Sequence, residues 1–133
     1  MSAEYVEMVQ SAYDAANRGD FAAIPLHEAM RLTVQSPTEG RVTLEGREGV
    51  IGFQRRLRET WDDYRIEVEE LVDAGDRVFA TIVRHGRGRI SGAQVSNRLF
   101  NVWTFRDGAA VALDSIADRA EALALAGITE QAS

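Results

Sequence analysis

The chain has 133 residues, enough for one domain with a single core, and 45% of them are hydrophobic, an ordinary share for a globular protein. A net charge of −6 argues against broad nucleic-acid binding, which normally depends on a basic surface. The chain has no cysteine and no signal-peptide pattern, so we expect a cytoplasmic protein, and without an apolar run near the ~20 residues that span a bilayer we expect no membrane contact.

Three N-terminal segments have helical patterns. The first, Ala3 to Asn17, carries apolar side chains at helical spacing and is followed by Gly19. A shorter second helix could begin after Asp20, but Pro25 must kink or end it. The third runs from Gly46 to Trp61, and we expect its arginine-rich side to face solvent. That side consists of Arg55, Arg56 and Arg58.

The remaining segments alternate apolar and polar residues and predict strands joined by short turns. The predicted strands are Arg31–Ser36, Tyr64–Asp73, Arg77–His85, Leu99–Phe105 and Ala109–Ala117. We expect polar loops over Pro37–Gly46 and Gly86–Gly92. A last helix, Arg119–Ala126, begins at an Asp118 cap and ends at Gly127. Helices followed by an antiparallel meander are typical of an α+β domain, here residues 1–133.

The hairpin after the fourth strand leaves one alternative open. A two-residue turn at Asp107-Gly108 would place Asp114 on the same sheet face as Trp103. A three-residue turn would place Leu113 and Ser115 on that face and turn Asp114 away. One residue of register therefore decides whether the face carries a carboxylate or a hydroxyl group.

Six motifs follow one another along nearly the whole chain. They are NRGDF (Asn17–Phe21), GREGV (Gly46–Val50), DAGDRV (Asp73–Val78), GRGRISG (Gly86–Gly92), VWTFRDG (Val102–Gly108) and DRAEALALAGI (Asp118–Ile128). Their order and spacing resemble the SnoaL-like branch of the nuclear transport factor 2-like superfamily. The resemblance implies a cone-shaped fold in which N-terminal helices wrap a curved antiparallel sheet around an internal pocket. The superfamily includes polyketide cyclases, ketosteroid isomerases, limonene epoxide hydrolases and proteins without known activity, so the fold alone implies no single function.

Non-titrating side chains stand where the resemblance would place the catalytic acids. For the isomerases, the matching positions hold Ser36, Ala12 with Tyr13 beside it, and Asn101. The epoxide hydrolases need an arginine between two aspartates, and those positions hold Ile82, Arg84 and Ser115, so only a displaced arginine matches. The acid–base Asp of the cyclases also falls near Ser115. Serine and asparagine do not titrate near neutral pH, so they cannot act as the general base that these reactions need.

The predicted function is therefore binding of a small hydrophobic ligand without the known isomerase, hydrolase or cyclase acids. The predicted pocket residues are Tyr13, Ser36, Ile82, Arg84, Asn101, Trp103, Leu113 and Ser115, since the resemblance favours the three-residue turn. The alternative is an enzyme of cyclase, isomerase or hydrolase type that acts on a hydrophobic cyclic or polyketide-like substrate with an altered catalytic set. Its candidate residues are Arg84, Asn101 and Tyr13. We expect no cofactor, and no metal site because His27 and His85 lie on different elements.

Each of these candidates has a second interpretation. Tyr13 could be a core side chain whose hydroxyl group reaches water. Arg84 could bind a carboxylate or polarise an oxyanion, but it could also be a strand-end arginine whose head reaches water. Asn101 could orient a ligand carbonyl group or satisfy a backbone group at a strand edge.

The other sheet face also carries apolar side chains on two neighbouring strands. They are Phe79, Val83, Phe100 and Val102. If the helices cover only the concave face, this convex patch needs another cover, because large apolar patches are rare on soluble monomers. We therefore expect a homodimer formed through this face.

Overall fold

One six-stranded sheet organises the chain in a computed structural model, which describes residues 2–36 and 40–129 apart from the side chains of residues 2, 3, 22 and 36. The elements are α1 (Ser2–Arg18), a 3-10 turn (Phe21–Ala23), β1 (Leu26–Ser36), β2 (Gly40–Glu45), α2 (Arg47–Thr60), β3 (Trp61–Ala74), β4 (Arg77–Gly88), β5 (Gln94–Arg106), β6 (Ala109–Ile116) and α3 (Arg119–Ala126). The strand order is β2-β1-β6-β5-β4-β3.

The predicted α+β fold is confirmed: helices pack on a curved, unclosed sheet. The sheet is mixed rather than wholly antiparallel, because β1 runs parallel to β6. The second predicted helix is only a 3-10 turn that ends before Pro25. The loop prediction for Pro37–Gly46 is wrong over residues 40–45, which form edge strand β2, and residues 37–39 lie outside the described residues. The two edge strands of the sheet are β2 and β3, and most residues of β2 are exposed, which is why its sequence resembles a loop.

The two sheet faces have separate cores. On the concave face, α1, the 3-10 turn and α2 pack against β1 and β3 to β6. On the convex face, α3 covers a second cluster that includes Phe79, Phe100 and Val102. Phe79 and Val102 are fully buried within the single chain. The expectation that this patch lacks a cover is therefore wrong, because the last helix crosses to the convex side instead of joining the others.

The β5–β6 hairpin combines a short turn with a bulge. Asp107 and Gly108 have positive φ angles of 51° and 82° and form a two-residue turn, so the expected three-residue turn is wrong. One step into the hairpin the register shifts, and Val111 becomes an extra residue between the paired Ala110 and Ala112.

The bulge reverses the consequence of the short turn. Beyond it, Trp103 pairs with Leu113, and Asn101 pairs with Ser115. Ser115 thus lies on the concave face, where it is buried, and Asp114 lies on the convex face opposite Val102. The Ser115 hydroxyl group therefore faces inward. A two-residue turn without the bulge would have placed the Asp114 carboxylate there instead.

Two side chains fix the C-terminal end of α1 to its neighbours. The Asn17 side chain donates to the Ile66 carbonyl oxygen (2.8 Å) and accepts from the Ile66 N–H (2.7 Å). Arg58 of α2 donates to the carbonyl oxygens of Ala16 (3.2 Å) and Asn17 (3.0 Å). Arg58 is therefore not part of a purely solvated face: it satisfies carbonyl groups that a helix end leaves open.

Candidate functional site

A cavity lies between the concave sheet face and helices α1 and α2. The cavity volume is about 60 Å³, which exceeds the roughly 10–15 Å³ that one water needs. Most of its lining is aliphatic or aromatic. Of the predicted pocket residues, those that line it are Tyr13, Ile82, Arg84, Asn101, Trp103, Leu113 and Ser115. Ser36 ends β1, but its side chain lies outside the described part of the chain.

Strand alternation and helical spacing bring three polar groups together at one point of the wall. Asn101 and Trp103 are two residues apart on β5, so their side chains share the concave face. Tyr13 lies on the apolar side of α1 and is only 4% exposed. The Tyr13 hydroxyl oxygen accepts hydrogen bonds from Asn101 Nδ2 (2.7 Å) and Trp103 Nε1 (2.9 Å). The Tyr13 and Trp103 rings meet edge to face at 5.7 Å.

This cluster has unused hydrogen-bonding capacity. Both partners donate to the Tyr13 oxygen, which leaves the hydroxyl hydrogen available to a further acceptor. Asn101 Oδ1 is buried and has no hydrogen-bond partner among the described residues. Burial raises the pKa of Tyr13 to about 12, although the bonds from Asn101 and Trp103 act in the opposite direction. The phenol is therefore neutral at physiological pH and acts as a donor.

Arg84 introduces the positive charge of the site. It lies on β4 with Ile82 on the concave face, and only 9% of its surface is exposed. The guanidinium group of Arg84 therefore does not extend into water. Burial of an arginine is costly unless it has partners, and Arg84 has an interaction partner within the protein.

Carboxylates are absent from the described lining of the cavity, as are histidines. Asp114, which a different hairpin register would have placed on the cavity face, is half-buried on the convex face. Its pKa is raised by desolvation and lowered in part by Arg31, Arg77 and Arg41. Within residues 2–36 and 40–129, no group of three or more histidine, aspartate or glutamate side chains is placed to hold a metal ion.

The sequence analysis did not predict some of the residues that line the cavity. Tyr64 of β3 and Phe53 and Leu57 of α2 all line the cavity. Alternation could have found Tyr64, because it is two residues from Ile66, which also lines the cavity. The helical stripe of the third predicted helix could have indicated Phe53 and Leu57.

Comparison with known proteins gives a family and a fold. The SnoaL-like domain family matches residues 9–113, well over half of the chain. No curated protein matches. No helix in the described residues is long and apolar enough to cross a membrane.

Several solved structures superpose on most of the chain. An NTF2-like protein from Burkholderia thailandensis is 27% identical, with a TM-score of 0.75 over 93% of this chain and 97% of that one. A putative SnoaL-like polyketide cyclase from a Jannaschia species is 18% identical, with a TM-score of 0.76 over 97% and 95% of the two chains. IdmH, a putative polyketide cyclase from Streptomyces antibioticus, is 22% identical, with a TM-score of 0.72 over 92% and 97%. The family match and these neighbours confirm the resemblance: the chain belongs to the SnoaL-like domain family of the NTF2-like superfamily.

Proposed function

We propose that the protein binds a small, largely apolar molecule that carries a hydroxyl group, in the cavity beneath α1 and α2. The apolar body of the ligand would replace water against the aliphatic and aromatic wall, which is favourable in proportion to the area buried. The hydroxyl group would meet Tyr13 and Asn101, the polar end of the wall.

The observation that carries the proposal is that Asn101 Oδ1 has no hydrogen-bond partner within residues 2–36 and 40–129. A buried acceptor without a partner costs about 1–3 kcal/mol, and nearly all buried polar groups in proteins are hydrogen-bonded. A ligand hydroxyl can donate to Asn101 Oδ1 and accept from the Tyr13 O–H at the same time. A phenol or alcohol therefore fits this pair better than a ligand that can only accept.

The alternative is an enzyme acting on a hydrophobic cyclic or polyketide-like substrate. The Tyr13 hydroxyl and the Arg84 guanidinium favour it in part, because both can stabilise negative charge that develops on a substrate oxygen. The described lining, however, offers no carboxylate or imidazole to remove a proton near neutral pH. Binding without turnover is therefore the better supported function, and two putative polyketide cyclases among the structural neighbours keep the alternative worth an assay.

Calorimetric titration with 4-ethylphenol and ethylbenzene tests the proposal, because the two probes differ only in the hydroxyl group. We expect 4-ethylphenol to bind roughly tenfold more tightly, the equivalent of about 1.4 kcal/mol for one hydrogen-bonded group. Asn101→Leu should abolish the preference, and the matched control Gln94→Leu, at an exposed position on the same strand, should keep it. Failure of 4-ethylphenol to bind, or equal affinity for both probes, would contradict the proposal.

A further inference from the structure

A second, more open space adjoins the cavity. Its volume is about 210 Å³. Three residues line both spaces and separate them: Leu57, Tyr64 and Arg84. The others that line this outer groove are Thr60, Trp61, Gly86, Val95 and Asn97.

The groove depends on local backbone features of β3 and β4. Asp63 has a φ of 53°, which is unusual for a residue other than glycine, and the β3–β4 register shifts around it so that Asp63 and Tyr64 face one residue, Gly86. A Cβ at Gly86 would lie 3.0 Å from Trp61 Cβ, tighter than most such contacts, so a larger residue there would require Trp61 to shift by a few tenths of an ångström. Ion pairs Asp63–Arg87 and Asp62–Arg89 (3.4 Å) join the bulge to β4.

Charge distinguishes the boundary between the two spaces. Among the described residues that line either space, Arg84 is the one that carries a formal charge at neutral pH. A guanidinium presents five N–H donors in a planar fork that matches a carboxylate. A ligand carboxylate where the groove meets the cavity would add to the contacts that Arg84 makes within the protein.

The distance between the two polar ends limits the length of such a ligand. Asn101 is paired with Ala80, and Arg84 lies four residues further along β4 on the same face. At about 3.4 Å per residue, Asn101 and Arg84 are roughly 14 Å apart along the strand direction. One aromatic ring with a short side chain covers most of this distance, and the side chains of Asn101 and Arg84 would span the remainder.

We propose that the cavity and the outer groove form one site for an elongated aromatic carboxylate, with its hydroxyl end at Tyr13 and Asn101 and its carboxylate at Arg84. The hydroxyl end rests on the function proposed above. The carboxylate end and the groove are new. The ligand enters through the groove, past Tyr64.

A set of three probes tests the carboxylate end separately. They are 3-(4-hydroxyphenyl)propanoate, its primary amide, and 4-ethylphenol, which share the phenol ring and differ in the second end. We expect the propanoate to bind 10- to 100-fold more tightly than the amide, the range for one hydrogen bond to a charged group. Equal affinity of the propanoate and the amide would overturn the proposal while leaving the phenol site intact. If none of the three binds, the proposed function itself is wrong.

Arginine variants test whether Arg84, between the cavity and the groove, causes the preference for the propanoate over the amide. Arg84→Met should lower the affinity for the propanoate to that of the amide, and Arg84→Lys should keep part of the preference. The matched control Arg98→Met removes an exposed arginine of β5 that is paired with Glu69, and it should change neither affinity. Loss of 4-ethylphenol binding in both Arg84 variants would show that Arg84 is needed for folding of the cavity instead, and would overturn the proposed role.

A groove variant tests the entry route. Val95→Trp adds bulk to the groove wall outside the inner cavity. We expect stopped-flow mixing to show a slower association of the propanoate, by about tenfold or more, with an unchanged far-ultraviolet circular dichroism spectrum. An unchanged association rate in a folded Val95→Trp protein would contradict entry through the groove.

Discussion

The polar end of the cavity depends on the hydroxyl oxygen of Tyr13. Two donors, Asn101 Nδ2 and Trp103 Nε1, converge on that one atom in a buried, mostly apolar wall. The residue types and their spacing place these three side chains on facing surfaces of α1 and β5, which sequence patterns can predict. That Asn101 Oδ1 meets no hydrogen-bond partner in the described part of the chain depends on how α1 packs on the sheet, and no local sequence pattern contains this information.

Removing the Tyr13 hydroxyl should destabilise the protein. In Tyr13→Phe both donors lose their acceptor inside the wall, and each buried unsatisfied group costs about 1–3 kcal/mol. Tyr5→Phe is the matched control, because Tyr5 is partly exposed and contacts Phe105 through its ring, which phenylalanine retains. Urea denaturation at pH 7 should show a lower free energy of unfolding for Tyr13→Phe only. Equal losses in both variants would contradict the role assigned to the hydroxyl.

Alkaline pH should weaken the fold through the same residue. Burial raises the pKa of Tyr13 from 10.0 to about 12, so the folded state holds the phenolic proton more tightly than the unfolded state does. This contribution is complete below pH ~10 and is lost as the pH rises to about 12, a total of about 3 kcal/mol. The chain has no lysine, so few other side chains titrate there. Denaturation curves between these pH values should fall more steeply for the wild type than for Tyr13→Phe; parallel curves would contradict the pKa direction.

The β5–β6 hairpin shows what sequence predicts about an element and what it does not. The turn position at Asp107-Gly108 follows from residue type, and both residues have the positive φ angles that a two-residue turn needs. The bulge at Val111 has no comparable signal, because Val111 sits among residues of the same kind. It nevertheless decides that Ser115, and not Asp114, faces the cavity.

Two glycines provide a matched test of this turn. Gly108 has a φ of 82°, where a side chain is strained, so Gly108→Ala should cost about 1–2 kcal/mol. Gly49 lies within α2, and a Cβ there would meet nothing within 4 Å. Gly49→Ala should therefore stabilise the protein by up to about 1 kcal/mol. The thermal unfolding temperature should fall for Gly108→Ala and rise for Gly49→Ala; a Gly108→Ala protein at least as stable as the wild type would contradict the turn geometry.

Helix α3 changes what can be expected of the convex face. Phe79 is fully buried beneath it, and Arg119 of α3 stacks over the Phe79 ring at 5.4 Å. Phe79→Ala should therefore lower the free energy of unfolding by about 3–5 kcal/mol, as for other buried phenylalanines. The homodimer stays a prediction, and sedimentation can test it. A Phe79→Ala protein that keeps wild-type stability but becomes monomeric would show that this face is an interface rather than a core.

The whole molecule was easier to predict than its site. The order of six motifs led to the family and to the cone-shaped fold, because both depend on where turns and helix ends occur along the chain. Function did not follow, because the positions that we expect to match the acids of the superfamily's enzymes hold other residues here. The outer groove also went unpredicted, since it arises from a β3 bulge around Asp63 and from the closeness of Gly86 to Trp61.

Ketosteroid isomerase and epoxide hydrolase assays should both be negative. Each reaction needs a carboxylate to move a proton or activate water, and the described cavity lining has none. Turnover of a steroid or epoxide substrate at enzyme-like rates, lost in Tyr13→Phe or Arg84→Met, would contradict this expectation.

The central claim is that the cavity at Tyr13 and Asn101 binds a hydroxyl-bearing apolar ligand. The chain's two tryptophans allow it to be tested in one titration, because the indole N–H of Trp103 lies at this polar end and Trp61 lines the outer groove. Nitrogen-15 NMR with 4-ethylphenol should show a saturable shift of the Trp103 indole signal and a much smaller shift for Trp61. No saturable shift of Trp103, or equal shifts of both signals, would contradict the account.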